Sequence, residues 1–149
     1  MFLCIQNAEV YTPAPLGRRD VLLCAGRVIA IAEHLDTQGL PGEVQVLDAA
    51  GKRLLPGLID QHVHITGGGG ESGFTSRVPE LRFSQVIEAG VTTLIGLLGT
   101  DSRTRSVANL VAKTKALNEE GITAYCLTGA YAVPSPTLTG SVGDDIAFI

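Results

Sequence analysis

The chain has 149 residues, 45% of them hydrophobic and 17% charged, with a formal net charge of -4 and a pI near 5.3. Its scattered basic residues exclude the electrostatic footprint of a nucleic-acid or anionic-membrane binder, and no stretch reaches the roughly 18 uncharged apolar residues of a membrane span. Cys4, Cys24 and Cys126 form no CxxC pair and are odd in number, which argues against a disulfide framework and a cysteine zinc site and predicts a reducing, cytoplasmic setting.

Composition shifts near residue 52, which predicts two unequal parts, 1–53 and 54–149. In the first, residues 2–10 read as a strand. Asp20–Cys24 pairs with Arg27–Ala32 through the tight Ala25-Gly26 turn, and Val44–Asp48 and Lys52–Leu55 flank a second turn at Gly51. Short strands joined by such turns predict a small β-sandwich portion, a whole small sandwich or half of one. Pro13-Ala14-Pro15 and Gly39-Leu40-Pro41-Gly42 are surface connections, and His34, beside Glu33 and Asp36, is a surface residue rather than a ligand.

From residue 54 the rhythm becomes strand, glycine loop, helix. Leu54 to Ile59 is apolar and opens with a Pro-Gly turn, predicting a buried strand over Leu58–His64. A helix follows over Pro79–Ala89, then a strand over Val91–Leu98. Asp101-Ser102 caps a helix running to about Glu120, where Gly121 ends it, and Ile122–Gly129 is a third strand. On that second helix Val107, Leu110, Val111, Thr114 and Leu117 recur at three- and four-residue steps, one buried stripe under a solvated face with Lys113, Lys115, Glu119 and Glu120. Alternating elements predict parallel strands of an α/β fold, either an open sheet or the first three βα units of a (β/α)8 TIM-type barrel. Three strands cannot close a barrel, which takes ~250 residues, so the barrel is expected to be incomplete in this chain.

The chemistry concentrates in Asp60-Gln61-His62-Val63-His64 and the adjoining Gly67-Gly68-Gly69-Gly70-Glu71. On a strand, His62 and His64 project to one face, two convergent nitrogen donors for zinc or another divalent ion. Two histidines satisfied by backbone or carboxylate partners are the competing reading. Asp60, on the same face, is expected to hydrogen-bond a ring nitrogen or to anchor the sheet more deeply. Four successive glycines favour close approach of backbone to a ligand, against a merely flexible loop. Cys126, inside an apolar strand, reads as a buried inert thiol.

Gly57 to His64 with Gly67 to Glu71, Gly96-Leu97-Leu98-Gly99-Thr100-Asp101-Ser102, and Thr128-Gly129-Ala130-Tyr131 resemble the isoaspartyl dipeptidases of the metal-dependent amidohydrolase superfamily. The similarity also runs through Lys113 to Gly121 and Thr139-Gly140-Ser141-Val142, covering nearly the whole chain from residue 54. The resemblance implies a barrel with two zinc ions that hydrolyses β-aspartyl dipeptides by metal-bound hydroxide, in a full-length protein that is a homo-oligomer. It implies that His62 and His64 bind metal, and that Gly69, Glu71, Thr100 and Tyr131 contact the dipeptide. Glu71 would pair with the free α-ammonium, and Tyr131 would act catalytically by donating its phenolic proton to the developing oxyanion. Taken singly, Glu71 reads equally as a solvated loop acid, Thr100 as a turn former and Tyr131 as a rim aromatic.

The family's bridging carboxylated lysine, its further histidines, its catalytic aspartate and its basic residues for the substrate carboxylates have no candidates here, the lysines lying only at 52, 113 and 115. The isolated chain is therefore expected to bind metal weakly and turn over little or nothing. Two other readings remain: an amidohydrolase of dihydroorotase or hydantoinase type acting on cyclic amides, and a non-catalytic fragment or assembly module.

Overall fold

The computed structural model describes residues 1–100 and 102–149. The chain separates into two compact units, Met1–Pro56 and Gly57–Ile149. The division falls a little after the compositional shift, because Leu54 pairs with Val10 and stays with the first sheet.

The first unit is one five-stranded mixed sheet of β1 (Phe2–Tyr11), β2 (Pro15–Cys24), β3 (Arg27–Ala32), β4 (Val44–Asp48) and β5 (Arg53–Leu54). Among the described residues of this unit there is a single sheet, not two stacked layers. β1 runs antiparallel to β2 along one edge. Its other edge is shared, β4 pairing beside Phe2–Gln6 and β5 beside Glu9–Val10, both parallel. β2 begins five residues before the expected Asp20. There Arg18 and Arg19 pair with Glu9 and Ala8, so the ladder overrides the poor strand propensity of Pro15 and Gly17.

Where β1 shifts register between Ile5 and Ala8, Asn7 takes φ 61° and its N–H donates to Asp20 Oδ1 at 2.9 Å. Asp20 also accepts from the Leu35 N–H at 3.0 Å and pairs with His34 at 3.2 Å, while remaining 3% exposed. Burial pushes its carboxyl upward, but the Asn7 and Leu35 amides and His34 outweigh that and hold it below the usual carboxylate range. His34 therefore serves a structural carboxylate at the surface. At the Ala25-Gly26 turn both central residues have positive φ, 49° and 73°, and Cys24 faces Arg27, the pattern of a primed hairpin turn.

The second unit is a three-stranded parallel sheet, order β6-β7-β8, of β6 (Leu58–Val63), β7 (Val91–Gly96) and β8 (Thr123–Cys126). The intervening helices are α1 (Phe83–Glu88) and α2 (Val107–Glu119), and α3 (Val142–Phe148) follows β8. Ile65, Leu94, Leu98, Leu110, Leu117 and Ala124 are among the side chains that close the core between the sheet and α2. The five stripe residues of α2 are all buried, as the helical spacing requires. Beneath them, Asn118 donates to the Ala124 carbonyl at 2.8 Å and accepts from its N–H at 3.1 Å.

Four expectations need correction. β6 is not buried: Leu58 and Ile59 are 60% and 64% exposed, because β6 is an edge strand with a neighbour on one side only. The first helix starts at Phe83, since the Leu81 N–H donates to the Ile65 carbonyl at 3.1 Å and holds the preceding residues extended. α2 begins at Val107 behind Ser106, whose hydroxyl accepts from the Asn109 N–H at 3.2 Å. Ser102 is therefore not its cap, and Asp101 lies outside the described residues. Cys126 is half-buried rather than buried.

Candidate functional site

Parallel strands put all their carboxyl ends on one edge of the sheet, and that edge carries the chemistry-bearing residues of the second unit. His62 lies at the end of β6 and His64 follows it, Thr100 follows β7, and Tyr131 follows β8.

β6 is not a regular strand here. Asp60 faces Leu94 and Val63 faces Gly96, so three steps along β6 match two along β7. Such a bulge re-aims side chains at a sheet edge. Asp60 Oδ1 accepts the His62 backbone N–H at 3.1 Å, so its carboxylate serves the backbone of the bulge rather than an imidazole. The two rings nevertheless converge, their centroids 5.3 Å apart and their planes at 86°.

His64 is held on three sides. Its Nδ1 lies 3.3 Å from the Leu97 carbonyl beyond β7, which selects the tautomer that donates from Nδ1 and leaves Nε2 with its lone pair. A Cβ built on Gly99 would stand 3.1 Å from Cε1 and 3.2 Å from Nδ1, and one on Gly68 would stand 3.3 Å from the histidine Cβ. Two glycines thus bracket this imidazole.

The glycine loop has an internal reason for its composition. Gly69 has φ 71°, and a Cβ there would come within 2.4 Å of the Ser76 carbonyl oxygen; at Gly67, φ 89°, it would come within 2.3 Å of the Val78 oxygen. Gly69 also bridges Arg77 in antiparallel fashion. Backbone approaches backbone within this loop. Arg105 secures the loop, donating Nε–H to the Thr66 carbonyl at 2.8 Å and Nη2–H to the Val78 carbonyl at 3.0 Å. Sequence reasoning missed Arg105, since no local pattern links it to a loop almost forty residues upstream.

Glu71 leaves that loop to meet Thr100, whose hydroxyl donates to Glu71 Oε1 at 2.6 Å. Two residues expected to contact the same dipeptide are thus in contact with each other. Tyr131 is 75% exposed. It lines a shallow cavity of about 220 Å³ with Leu97, Leu98, Thr128 and Ala130, so it shares a wall with the residue whose carbonyl orients His64.

The donor set tests how well a metal fits. Two imidazoles with nearby rings, one oriented through its outer nitrogen, suit a divalent ion. Among the described residues no third histidine, cysteine, aspartate or glutamate joins them. Among the described residues the donor set stops at His62 and His64, which by themselves do not complete a metal centre.

No family model matches the chain. It is 50% identical to the β-aspartyl dipeptidase of Fervidobacterium islandicum AW-1, solved in complex with the β-Asp-Leu dipeptide; the TM-score is 0.90, and the match covers 100% of this chain and 38% of that one. Among curated proteins it is 28% identical to the dihydroorotase of Pelotomaculum thermopropionicum, over 99% of this chain and 32% of that enzyme. It is also 28% identical to the imidazolonepropionase of Anaeromyxobacter sp. strain K, over 90% of this chain and 35% of that enzyme. The chain therefore spans 32–38% of the length of these relatives, which are hydrolases of the amidohydrolase superfamily. Over its whole length, the chain resembles the N-terminal portion of the β-aspartyl (isoaspartyl) dipeptidases of that superfamily.

Proposed function

We propose that the protein containing this chain hydrolyses β-aspartyl dipeptides with the help of a divalent metal centre to which His62 and His64 contribute. The observation that carries this reading is the 50% identity, along the entire chain, to an enzyme solved with β-Asp-Leu. The geometry supports it: His62 at the end of β6, and His64, Glu71 and Thr100 in the loops that follow β6 and β7, stand at one edge of one sheet. Residues 57–149 are then the first three βα units of a (β/α)8 barrel completed by further chain, in a cytoplasmic homo-oligomer.

Zinc, in a two-ion centre, or another divalent ion would act as a Lewis acid and make water acidic enough to react near neutral pH. The chain's own residues recognise and polarise. A β-linked dipeptide keeps a free α-ammonium group, and the Glu71 carboxylate is the complementary anion. Thr100, by donating to Oε1, sets the plane of that carboxylate. Gly69 offers backbone groups in a conformation closed to other residues. Tyr131 donates its phenolic hydrogen bond to the scissile carbonyl oxygen as that oxygen gains charge.

The test supplies β-Asp-Leu and α-Asp-Leu side by side to the full-length protein, with and without chelator. Selective, chelator-sensitive cleavage of the β isomer is expected. Equal cleavage of both isomers, or activity indifferent to chelator, would remove the proposal. The whole-chain likeness to a dihydroorotase favours a second reading, hydrolysis of cyclic amides. A dihydroorotate and hydantoin screen in the same assay separates the two.

A further inference from the structure

Asp145 on α3 is 5% exposed, yet the chemistry above makes no use of it. Its carboxylate accepts four hydrogen bonds: from the Thr128 hydroxyl, from the Leu138 N–H at 2.9 Å, and from the N–H and hydroxyl of Thr139 at 2.8 and 2.6 Å. These donors lie at the two ends of one segment. Thr128 lies two residues beyond β8, Leu138 and Thr139 precede α3, and the intervening residues carry Tyr131. Inside the segment the Ala130 N–H donates to Ser135 Oγ at 3.3 Å, and a Cβ on Gly129 would meet that oxygen at 2.6 Å. The segment buries little apolar surface, Val133 being 97% exposed and Tyr131 75%. With so little burial, polar contacts at the base decide whether such a loop is ordered.

We propose that Asp145 is a positioning residue for Tyr131: its carboxylate clamps both ends of the 128–139 loop and so fixes where the tyrosine stands at the carboxyl edge of the sheet. The catalytic half of this inference rests on the dipeptidase reading; the clamp itself does not. Four donors saturate two carboxylate oxygens, so Asp145→Asn, which replaces one acceptor by an NH2 group, sets donor against donor on one side. Losing charge-assisted hydrogen bonds of this kind shifts a local opening equilibrium by about ten- to a hundredfold.

The experiment compares the full-length protein with its Asp145→Asn and Thr128→Val variants by hydrogen–deuterium exchange, and measures β-Asp-Leu hydrolysis in each with Tyr131 intact and as Tyr131→Phe. Exchange over 129–139 should rise about ten- to a hundredfold in Asp145→Asn, and less in Thr128→Val, while β7 and α2 stay unchanged. The loss in kcat should largely vanish in the Tyr131→Phe background, which a general loss of structure would not do. Unchanged exchange in the loop, exchange raised throughout the unit, or a kcat loss that persists without the phenol would overturn the inference. Should Asp145→Asn not fold, Thr128→Val reads the same loop. If the wild type leaves β-Asp-Leu intact, the dipeptidase reading falls and the exchange data alone decide the clamp.

Discussion

Replacing Gly99 by alanine isolates the orientation of His64 from the stability of the fold. The added methyl carbon would sit 3.1 Å from Cε1 and 3.2 Å from Nδ1, against about 3.5–4.0 Å for an unstrained contact, so the ring has to retreat by about 0.5 Å. Its hydrogen bond to the Leu97 carbonyl is already 3.3 Å long, and a displacement of that size along the N–O line takes it beyond hydrogen-bonding range. Loss of an outer partner of a metal-binding histidine lowers affinity about 10–100-fold, or roughly 1.4–2.7 kcal/mol. The backbone at Gly99 has no positive φ, so alanine fits it and gains about 0.4–1 kcal/mol from a less disordered unfolded chain, offsetting part of the steric cost. The full-length variant should therefore bind zinc 10–100-fold more weakly in competition with a chromophoric chelator, while the metal-free protein melts within a few degrees of wild type. A folded variant with undiminished zinc affinity would refute the idea that the glycine bracket and the Leu97 carbonyl orient a metal ligand.

Gly69→Ala combines a left-handed backbone with a 2.4 Å approach to a carbonyl oxygen, and should lower stability in urea by about 2–3 kcal/mol; a loss below 0.5 kcal/mol would mean that the loop yields easily. Ala25→Asn gives the primed turn a residue that tolerates φ 49°, and should raise the urea midpoint by the equivalent of about 0.5–1 kcal/mol, with an unchanged midpoint counting against the turn assignment. Asp20 and Asp145 both have folded-state pKa values below the ordinary carboxylate range, Asp20 despite its burial and Asp145 through Thr128, Thr139 and the Leu138 amide. Their stabilisation is complete above the unfolded-state value near 4 and is lost as pH falls from there through their lowered folded-state values, so urea midpoints should begin to drop near about pH 4 and keep falling on further acidification. Asp145→Asn should flatten that drop; an equally steep fall in the variant would show that other groups control it.

Elements defined by their own side-chain pattern were legible from sequence, and those defined by distant partners were not. β3, β4 and the buried stripe of α2 announce themselves through residue type and spacing. The early start of β2 depends on pairing with β1, and the late start of α1 on a bond from Leu81 to Ile65. α3 has a helix start readable from local residues, Ser141, which caps the Asp144 N–H at 3.3 Å, and the acidic pair Asp144-Asp145, but its two turns are too short to carry an apolar stripe. At the site, the HxH spacing draws attention to the paired imidazoles, but period-two alternation does not anticipate the bulge that shapes them or the diversion of Asp60 to the backbone. The Glu71–Thr100 contact joins positions 29 apart, and composition carries no trace of it. The meeting of Gly69 with Ser76 depends on a chain reversal of that kind too.

Asn118 changes what the open side of the second sheet can accept. The Leu127 N–H donates to the Gly96 carbonyl, so residues 127 and 125 direct their backbone groups toward β7, while 126 and 124 direct theirs away. At Ala124 both outward groups are already engaged by one carboxamide, which imitates the rung of a missing neighbour. A fourth strand joining this ladder finds its first vacant rung at Cys126. A residue on a helix thereby acts as a spacer that limits the register any added strand can take, and it denies a stray chain the lower part of the same seam.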